Sequence, residues 1–521
     1  MLGGFRIEER RAIRILIVIA VISRLALAFR PEWRIFTRPY SEDSFYIFSV
    51  SEHLAHGDGI TVDGVHPTNG IQPLIAFLYV PFFWIAGANK LLALRLCFIV
   101  VALCDGFSVL VLAKLLRRLV RGSPDEDRIV WLRPHIAAPA LWALLYPILV
   151  HTAVGLETGV YSSLLIASTY CYATLRKEGA TPSLMQWIGF GTLLGLTVLA
   201  RIDAVFIVIA FCLVELIHYG VAGIKSAAVF GATAFVVSLP WWAYNYFVFG
   251  HLMPQSGMSE SIAGLFAENL RRGAIVIGDI LTVFLFLPNY KLPAWFHFVW
   301  MFALLALVVL LARKFGAVSF LRRTYDLRPL APLAILSAVL IVYYVFFFSA
   351  PHFLPRYFQP FRILWLILFA ASVPLLVQFV RRSLSVRRTL TRTLLWVAGL
   401  GAAGFGASLY GYSFFVPHPS EFYLAGQWAK AHPNALIGME QSGTAGFIAP
   451  NVVNLDGKVD FGALKAKMRG DIGSYVIERK LEYVGDWREI IDPIVASANR
   501  DGALFIPSDT LGKIYYYKRQ Q

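Results

Sequence analysis

Two adjacent carboxylates, Glu42 and Asp43, open the most polar stretch in the first half of the chain, YSEDSFYIFSVSEHLAHGDGITVDGVHPTNGIQPL at residues 40–74. A pair of acids beside a binding surface can take up a proton or meet a cation. At the start of a helix the same acids serve only to complement the helix dipole. The stretch also carries His66, Asn69 and Gln72, whose side chains can hydrogen-bond a polar ligand, although VDGVHPTNG is equally ordinary turn chemistry. Two arginines further along, Arg201 and Arg356, fall at or near the ends of apolar runs, where a lipid headgroup would lie. An arginine there is a candidate phosphate ligand, because its planar fork can hold a phosphate in a bidentate way. Arg201 is followed by Asp203, and a structural ion pair accounts for both as well. Glu157, in GLETG, sits in a very short turn between two apolar runs, either near the same place or as a helix N-cap acid.

The elements that must position these residues are mostly hydrocarbon. The 521 residues are 58% hydrophobic and 15% aromatic, with a mean hydropathy of +0.63, too apolar for soluble domains. Runs able to cross a membrane lie near 13–30, 91–116, 134–152, 158–175, 185–200, 204–219, 226–249, 293–312, 330–350, 361–380 and 393–412, about eleven helices. The first run has a signal-like charge pattern, but Arg24 interrupts it and no small-residue cleavage site follows, so it reads as a retained span. Cys97, Cys104, Cys171 and Cys212 all lie inside apolar runs and form neither a disulfide framework nor a metal-ligand spacing. The net charge of +15 comes from short basic clusters between those runs, not from a basic stripe interleaved with aromatics; it speaks for membrane topology, not nucleic acid.

One further run, IQPLIAFLYVPFFWIAG at 71–87, is short and contains two prolines. Taking it as a juxtamembrane helix leaves nineteen Lys and Arg in the later loops of one side and six in those of the other. The positive-inside rule then places the N-terminus in the cytoplasm of an inner (cytoplasmic) membrane, with loops 31–90 and 250–292 and the C-terminus outside. Residues 1–412 therefore form a transmembrane domain and residues 413–521, rich in Asp, Glu, Lys and Gly, a small soluble α/β domain. In that domain ALIGM, ALFIPS and KIYYYKR read as strands and SEFYLAGQWAKAHP as a helix. Within the first loop, SEDSFYIFSVSEHLAHG reads as an amphipathic interfacial helix with Ser41 as N-cap and a glycine stop.

The run EDSFYIFSVSEHLAHGDGITVDGVHPTNGIQPL resembles the first-loop signature of the GT-C superfamily of polyprenyl-phosphate-sugar-dependent glycosyltransferases, in which an acidic pair opens a juxtamembrane helix and a Thr-Asn-Gly-x-x-Pro-Leu segment follows. GLETGVYSSL at 155–164, LARIDA at 199–204, PWWAYNYFVFGHLMPQS at 240–256 and SGTAGFIAPNVVNLDGKVD at 442–460 are similar, in the same order, to segments of the branch that includes mycobacterial arabinofuranosyltransferases. The chain departs from that pattern in two places. The pair is Glu-Asp where the family usually has Asp-Asp, and Gln441 stands where an acid is expected before SGTAG.

The resemblance implies a GT-C-like, mainly α polytopic fold and an inverting transfer from a polyprenyl-phosphate-linked sugar to a glycan or lipid acceptor. Asp43, with Glu42 as the second choice, would deprotonate the acceptor hydroxyl, and Arg201 and Arg356 would hold the donor phosphate. His66, Asn69, Gln72, Glu157, Asp203, Asn245 and Gln255 would contact substrate, with His251 and Ser256 in the same second loop. A monophosphate donor implies no cofactor; the alternative is a divalent cation held by Glu42 or Asp43 with His66. A transporter or a non-catalytic partner of envelope glycan assembly is the competing class, but the sequence has no internal repeat and its acids cluster in one loop, not at mid-span.

Overall fold

The computed structural model describes residues 4–121, 130–262, 266–282, 293–348, 350–383 and 418–520. The expected span at 393–412 and the boundary at 412/413 lie outside these residues, as do parts of the loops at 114–133, 250–292 and 381–392. Each of the other ten expected spans is helical. Among the described residues, five helical stretches, Ile7–Phe29, Lys90–Leu119, Ile202–Phe249, Trp295–Lys314 and Arg328–Phe347, are by themselves long and apolar enough to cross a membrane. Two bent pairs add to them, Pro134–Leu144 with Tyr146–Thr152 at 62° and Pro351–Tyr357 with Gln359–Leu375 at 43°. The runs expected at 204–219 and 226–249 are two helices within Val205–Phe249 that meet at a sharp turn at Gly220, whose φ of 55° only glycine adopts without strain; Ser226 Oγ donates back to Glu215 at 2.7 Å.

The run at 71–87 forms a short helix, Pro73–Ala86, ending at Gly87. It packs on the first-loop helix, Ser44–His56, where Ser51 Oγ donates to the Ala76 carbonyl at 3.0 Å. That helix starts later than the sequence suggests. Ser41 is not its N-cap: the Ser41 carbonyl accepts the Ser44 N–H at 3.0 Å, and Asp43 occupies the cap position without a side-chain cap bond. Nor is it an interfacial helix with one wet face, because every residue from Ser44 to Ser51 is buried. What covers it is the C-terminal domain. Phe447 packs against Phe36, Phe45, Phe48 and Phe83, and Tyr40 stacks on Phe98 at 4.5 Å, so the two halves of the molecule share one aromatic core.

The C-terminal domain is a five-stranded mixed sheet, β1 (Ile437–Met439), β2 (Val452–Asn454), β3 (Tyr483–Trp487), β4 (Phe505–Leu511) and β5 (Ile514–Arg519), in the order β2-β1-β3-β5-β4. β1 is parallel to β2 and β3, while β5 runs antiparallel to β3 and β4. Three expected strands are β1, β4 and β5, and the expected helix is Glu421–Ala431, capped by Ser420 Oγ accepting from Tyr423 N–H at 3.1 Å. β2 and β3 were not foreseen: β2 has three residues, and YVGDW in β3 carries a glycine and an aspartate that lower strand propensity.

Candidate active site

A cavity of about 340 Å³ opens where the first loop, the helical bundle and the C-terminal domain meet. Its wall brings together Asp43, Gln72, Glu157, Arg201, Asp203, Glu260, Arg356 and Lys458, under an aromatic cover of Trp242, Tyr344, Phe353 and Tyr357. Asp43 comes from the start of Ser44–His56, and Glu157 from the GLETG turn that opens Thr158–Leu175. Arg201 and Asp203 come from the junction of Leu184–Ala200 with the helix that follows, and Arg356 from the single helical turn Leu354–Tyr357.

The three cations differ in how fully they are paired. Arg201 is paired on both sides: it makes a two-pronged contact with Asp203, at 3.0 and 2.5 Å, and another with Glu157 at 2.9 Å. Tyr344 donates its hydroxyl to Asp203 at 2.7 Å and stacks on Tyr357 at 3.9 Å, and Tyr357 in turn lies under the Arg201 guanidinium. In this network each charged group has a partner within the protein. Arg356 is different. Its nearest carboxylate oxygen is Asp43 Oδ2, at 3.9 Å from Nη2, and its buried Nε has no hydrogen-bond partner. The Phe353 ring lies 4.4 Å from its guanidinium carbon and holds it in place.

Lys458 enters from the C-terminal domain. Its Nζ stands 3.0 Å from Glu260, 3.4 Å from Asp43 and 3.6 Å from Asp456. Burial works against its charge, but Asp43, Asp456 and Glu260 outweigh burial and hold its pKa well above the ordinary lysine value. Burial pushes the Glu260 carboxyl up, and Lys458 only partly opposes this. Asp43 is thus a carboxylate facing the cavity with two cations beside it, neither close enough for a tight ion pair.

Glu42 turns the other way. It is not part of the cavity wall; its Oε1 accepts the N–H groups of Gly443 and, at 3.2 Å, Thr444, so it caps the helix Gly443–Ile448 of the C-terminal domain. Burial, and then the charge of Asp43, raise its pKa well above the ordinary carboxylate value. A side chain at position 443 would collide with the backbone and carboxylate of Glu42, so this close approach requires glycine.

The Thr-Asn-Gly segment is a junction. Asn69 Oδ1 accepts the Gln255 N–H at 2.9 Å, Thr68 Oγ accepts from Gln255 Nε2 at 2.8 Å, and the bare Gly70 lets the Lys458 backbone come close. Asn69 and Gln255 are fully buried and do not reach the cavity, whereas Gln72 lines it and accepts the Ile202 N–H at 3.2 Å. Asn245 donates to the Leu252 carbonyl at 3.1 Å and shapes the turn after Val205–Phe249. Ser256 is in the cavity wall; His251 is outside it, against Phe461. His66 lies on the surface, 2.6 Å from Asp63 and beside Arg479, apart from the acidic pair.

Sequence reasoning passed over Lys458, Glu260, Asp456, Tyr344 and Tyr357 as site residues. Lys458 had a signal, since it sits in the NLDGKVD part of a segment already singled out; Tyr344, inside an apolar run, had none, and Tyr357 had only its place beside Arg356.

The polar cavity shares Val205, Trp242 and Leu252 with an apolar groove of about 520 Å³ formed mainly by the two arms of Val205–Phe249, walled by residues such as Val208, Phe235 and Leu239, with Val198 of Leu184–Ala200. Together they make an amphipathic site with charges at one end and hydrocarbon at the other.

No family model and no curated protein matches this sequence. Solved structures do. ArnT from Cupriavidus metallidurans, solved bound to undecaprenyl phosphate, superposes with a TM-score of 0.57 at 13% identity over 96% of this chain and 97% of that one. The archaeal oligosaccharyltransferase AglB from Archaeoglobus fulgidus, solved with an inhibitory peptide and a dolichol-phosphate, gives 0.56 at 14% identity over 98% of this chain and 74% of that one. The chain has the GT-C fold of these proteins, and it is a multi-pass membrane protein.

Proposed function

We propose that this protein is an inverting membrane glycosyltransferase that moves a sugar from a polyprenyl-phosphate carrier to an extracytoplasmic glycan or lipid. One observation carries the reading: a polar cavity holding Asp43, Arg356 and Lys458 runs into an apolar groove. An isoprenoid phosphate linked to a sugar has the same division, a hydrocarbon chain at one end and a charged, hydroxylated head at the other. The neighbours solved with undecaprenyl phosphate and dolichol-phosphate share the fold, which supports the same ligand class here.

In this mechanism the acceptor hydroxyl gives its proton to the Asp43 carboxylate as its oxygen bonds to the anomeric carbon. The bond between that carbon and the phosphate oxygen breaks, its electron pair stays on the phosphate, and the carrier gains a negative charge. The unpartnered Nε edge of Arg356 and the Lys458 ammonium receive that charge. Arg201, already paired with Glu157 and Asp203, positions Tyr357 and keeps the turn Ile202–Ala204 in place. The basic loops lie in the cytoplasm of the inner membrane, and the C-terminal domain lies outside with the cavity.

Transfer by the purified protein in nanodiscs, with polyprenyl-phosphate-linked arabinofuranose, mannose and glucose as donors, tests this reading. Asp43→Asn should lower transfer on the order of 10²–10⁴-fold, with the melting temperature near that of the wild type. Arg356→Gln and Lys458→Met should weaken donor use, each by about tenfold or more. If Asp43→Asn transfers as well as the wild type, Asp43 is not the base. Flux of a solute across liposomes with no covalent product from any donor would replace the transferase by a transporter.

A further inference from the structure

A second polar cavity, of about 210 Å³, lies on the other side of the one-turn helix Leu354–Tyr357: Arg356 and Tyr357 line the first cavity and Pro355 lines the second. Three ionisable side chains share it, His151 near the end of Tyr146–Thr152, Asp279 in Phe266–Thr282 and Arg362 in the first turn of Gln359–Ser383. The rest of its wall is mainly apolar, with Ile148, Ile280 and Leu366 among the lining residues. Among the described residues none of the three is in an ion pair, although Asp279 stands near enough to Arg362 for the charge of each to act on the other. Arg362 makes one side-chain hydrogen bond there, from Nη1 to Gln359 Oε1 at 2.8 Å, and the side chains of His151 and Asp279 make none.

Four other arginines of the helical domain are closed into ion pairs. Arg24 meets Asp105 at 2.7 Å, Arg133 meets Glu9 at 2.7 Å, Arg201 meets Glu157 at 2.9 Å, and Arg176 pairs with Glu215. An arginine in the membrane domain that is not closed into an ion pair is costly and marks a place where a ligand can complete its bonding. A guanidinium has five N–H donors, and four of those of Arg362 are left for that ligand.

We propose that this cavity is a second anion site that takes the phosphate headgroup of a lipid, with Arg362 gripping the phosphate oxygens and His151 adding a donor. Asp279 fits the same ligand. Burial lifts its carboxyl to about 7, so near neutral pH much of it is the protonated acid and can donate to a phosphate oxygen. The apolar wall receives the first carbons of the chain. The assignment stands on this cavity alone and does not depend on the reaction in the first one. The phosphate can come from a polyprenyl phosphate or from a glycerophospholipid, which share this chemistry.

Equilibrium binding to the full-length, delipidated protein in detergent separates these sources, with radiolabelled undecaprenyl phosphate in one arm and phosphatidylglycerol in the other. The wild type should show a saturable site that Arg362→Gln weakens at least tenfold and Arg362→Lys weakens less; the arm in which that site vanishes identifies the lipid. Arg356→Gln should leave this site intact and affect only the first. Loss on Arg362→Gln without any loss on Arg356→Gln would uphold the second site while removing Arg356 from donor binding. Because Arg362 is in no ion pair among the described residues, and Asp279 is largely the neutral acid, Arg362→Gln should melt near or above the wild-type temperature without lipid. Unchanged binding of both lipids by Arg362→Gln, or a melting temperature well below the wild type, would overturn the proposal.

Discussion

The bundle interior and the cavity treat buried charge in opposite ways. In the bundle, Arg24 and Asp105 are fully enclosed and meet at 2.7 Å; Asp105 also accepts from Trp142 at 2.9 Å and Thr152 at 2.6 Å, and Arg24 donates to the Ala143 carbonyl at 3.0 Å. In the cavity, Asp43 stands 3.4 Å from Lys458 and 3.9 Å from Arg356, and the Nε of Arg356 has no partner. A charge whose bonds are all made inside the protein holds the fold together and has nothing left to offer. A charge held loosely costs stability and keeps its bonding capacity for a ligand.

The largest test of that contrast removes one partner from each region. Asp105→Ala strands the Arg24 charge in the bundle and should cost about 3–5 kcal/mol, read as a collapse in folded yield or melting temperature. Asp43→Asn should leave both nearly unchanged while transfer disappears. Equal destabilisation by the two substitutions would break the comparison.

A smaller effect comes from Asp486 at the end of β3, an acid between these extremes. It is buried, yet it accepts N–H bonds from Gln441 and Trp487, each at 2.7 Å. Burial raises its pKa from 3.8 to about 6. The folded state therefore holds this proton more tightly than the unfolded chain does. The stabilisation is fully present below pH 3.8 and is lost as pH rises through about 6, a change on the order of 3 kcal/mol. Thermal melts of wild type and Asp486→Asn between pH 4 and 7 should show this slope only in the wild type. Parallel curves would mean that Asp486 titrates as a solvated acid.

The smallest effect separates the two neighbours of the acidic pair. Glu42→Ala removes the acceptor for Gly443 and Thr444 and should loosen the docked helix Gly443–Ile448 by about 1–2 kcal/mol, seen as faster amide exchange there. Glu42→Gln keeps an acceptor oxygen and should change little. If Glu42→Gln abolishes transfer while Asp43→Asn remains active, the roles of the two acids are exchanged.

Much of the architecture was legible in the chain because its determinants are local. Apolar length sets a span, and β-branched and aromatic runs such as IYYYKR set a strand; the glycine stop at Gly57 closes a helix in its own left-handed conformation. The start of Ser44–His56 was misread because Ser41 has the composition of a cap, while the chain there is held by bonds to distant elements, including the Ser41 N–H to the Val154 carbonyl at 3.0 Å. Of the residues singled out from the sequence, Asp43, Gln72, Glu157, Arg201, Asp203 and Arg356 meet in one cavity, whereas Asn69 and Gln255 spend their hydrogen bonds on each other's loops.

By itself the sequence determined that this is a multi-span helical protein with a small mixed domain at its C-terminal end, and that an acidic pair opens its first long loop. Only the tertiary structure decided which way each acid points. Successive residues beside a helix start project in different directions, so Glu42 reaches Gly443 and Thr444 while Asp43 reaches Lys458 and Arg356. Those partners lie more than 300 residues away in the chain, and pairing at that separation is fixed by packing of whole domains, which leaves no periodic or local trace in the sequence.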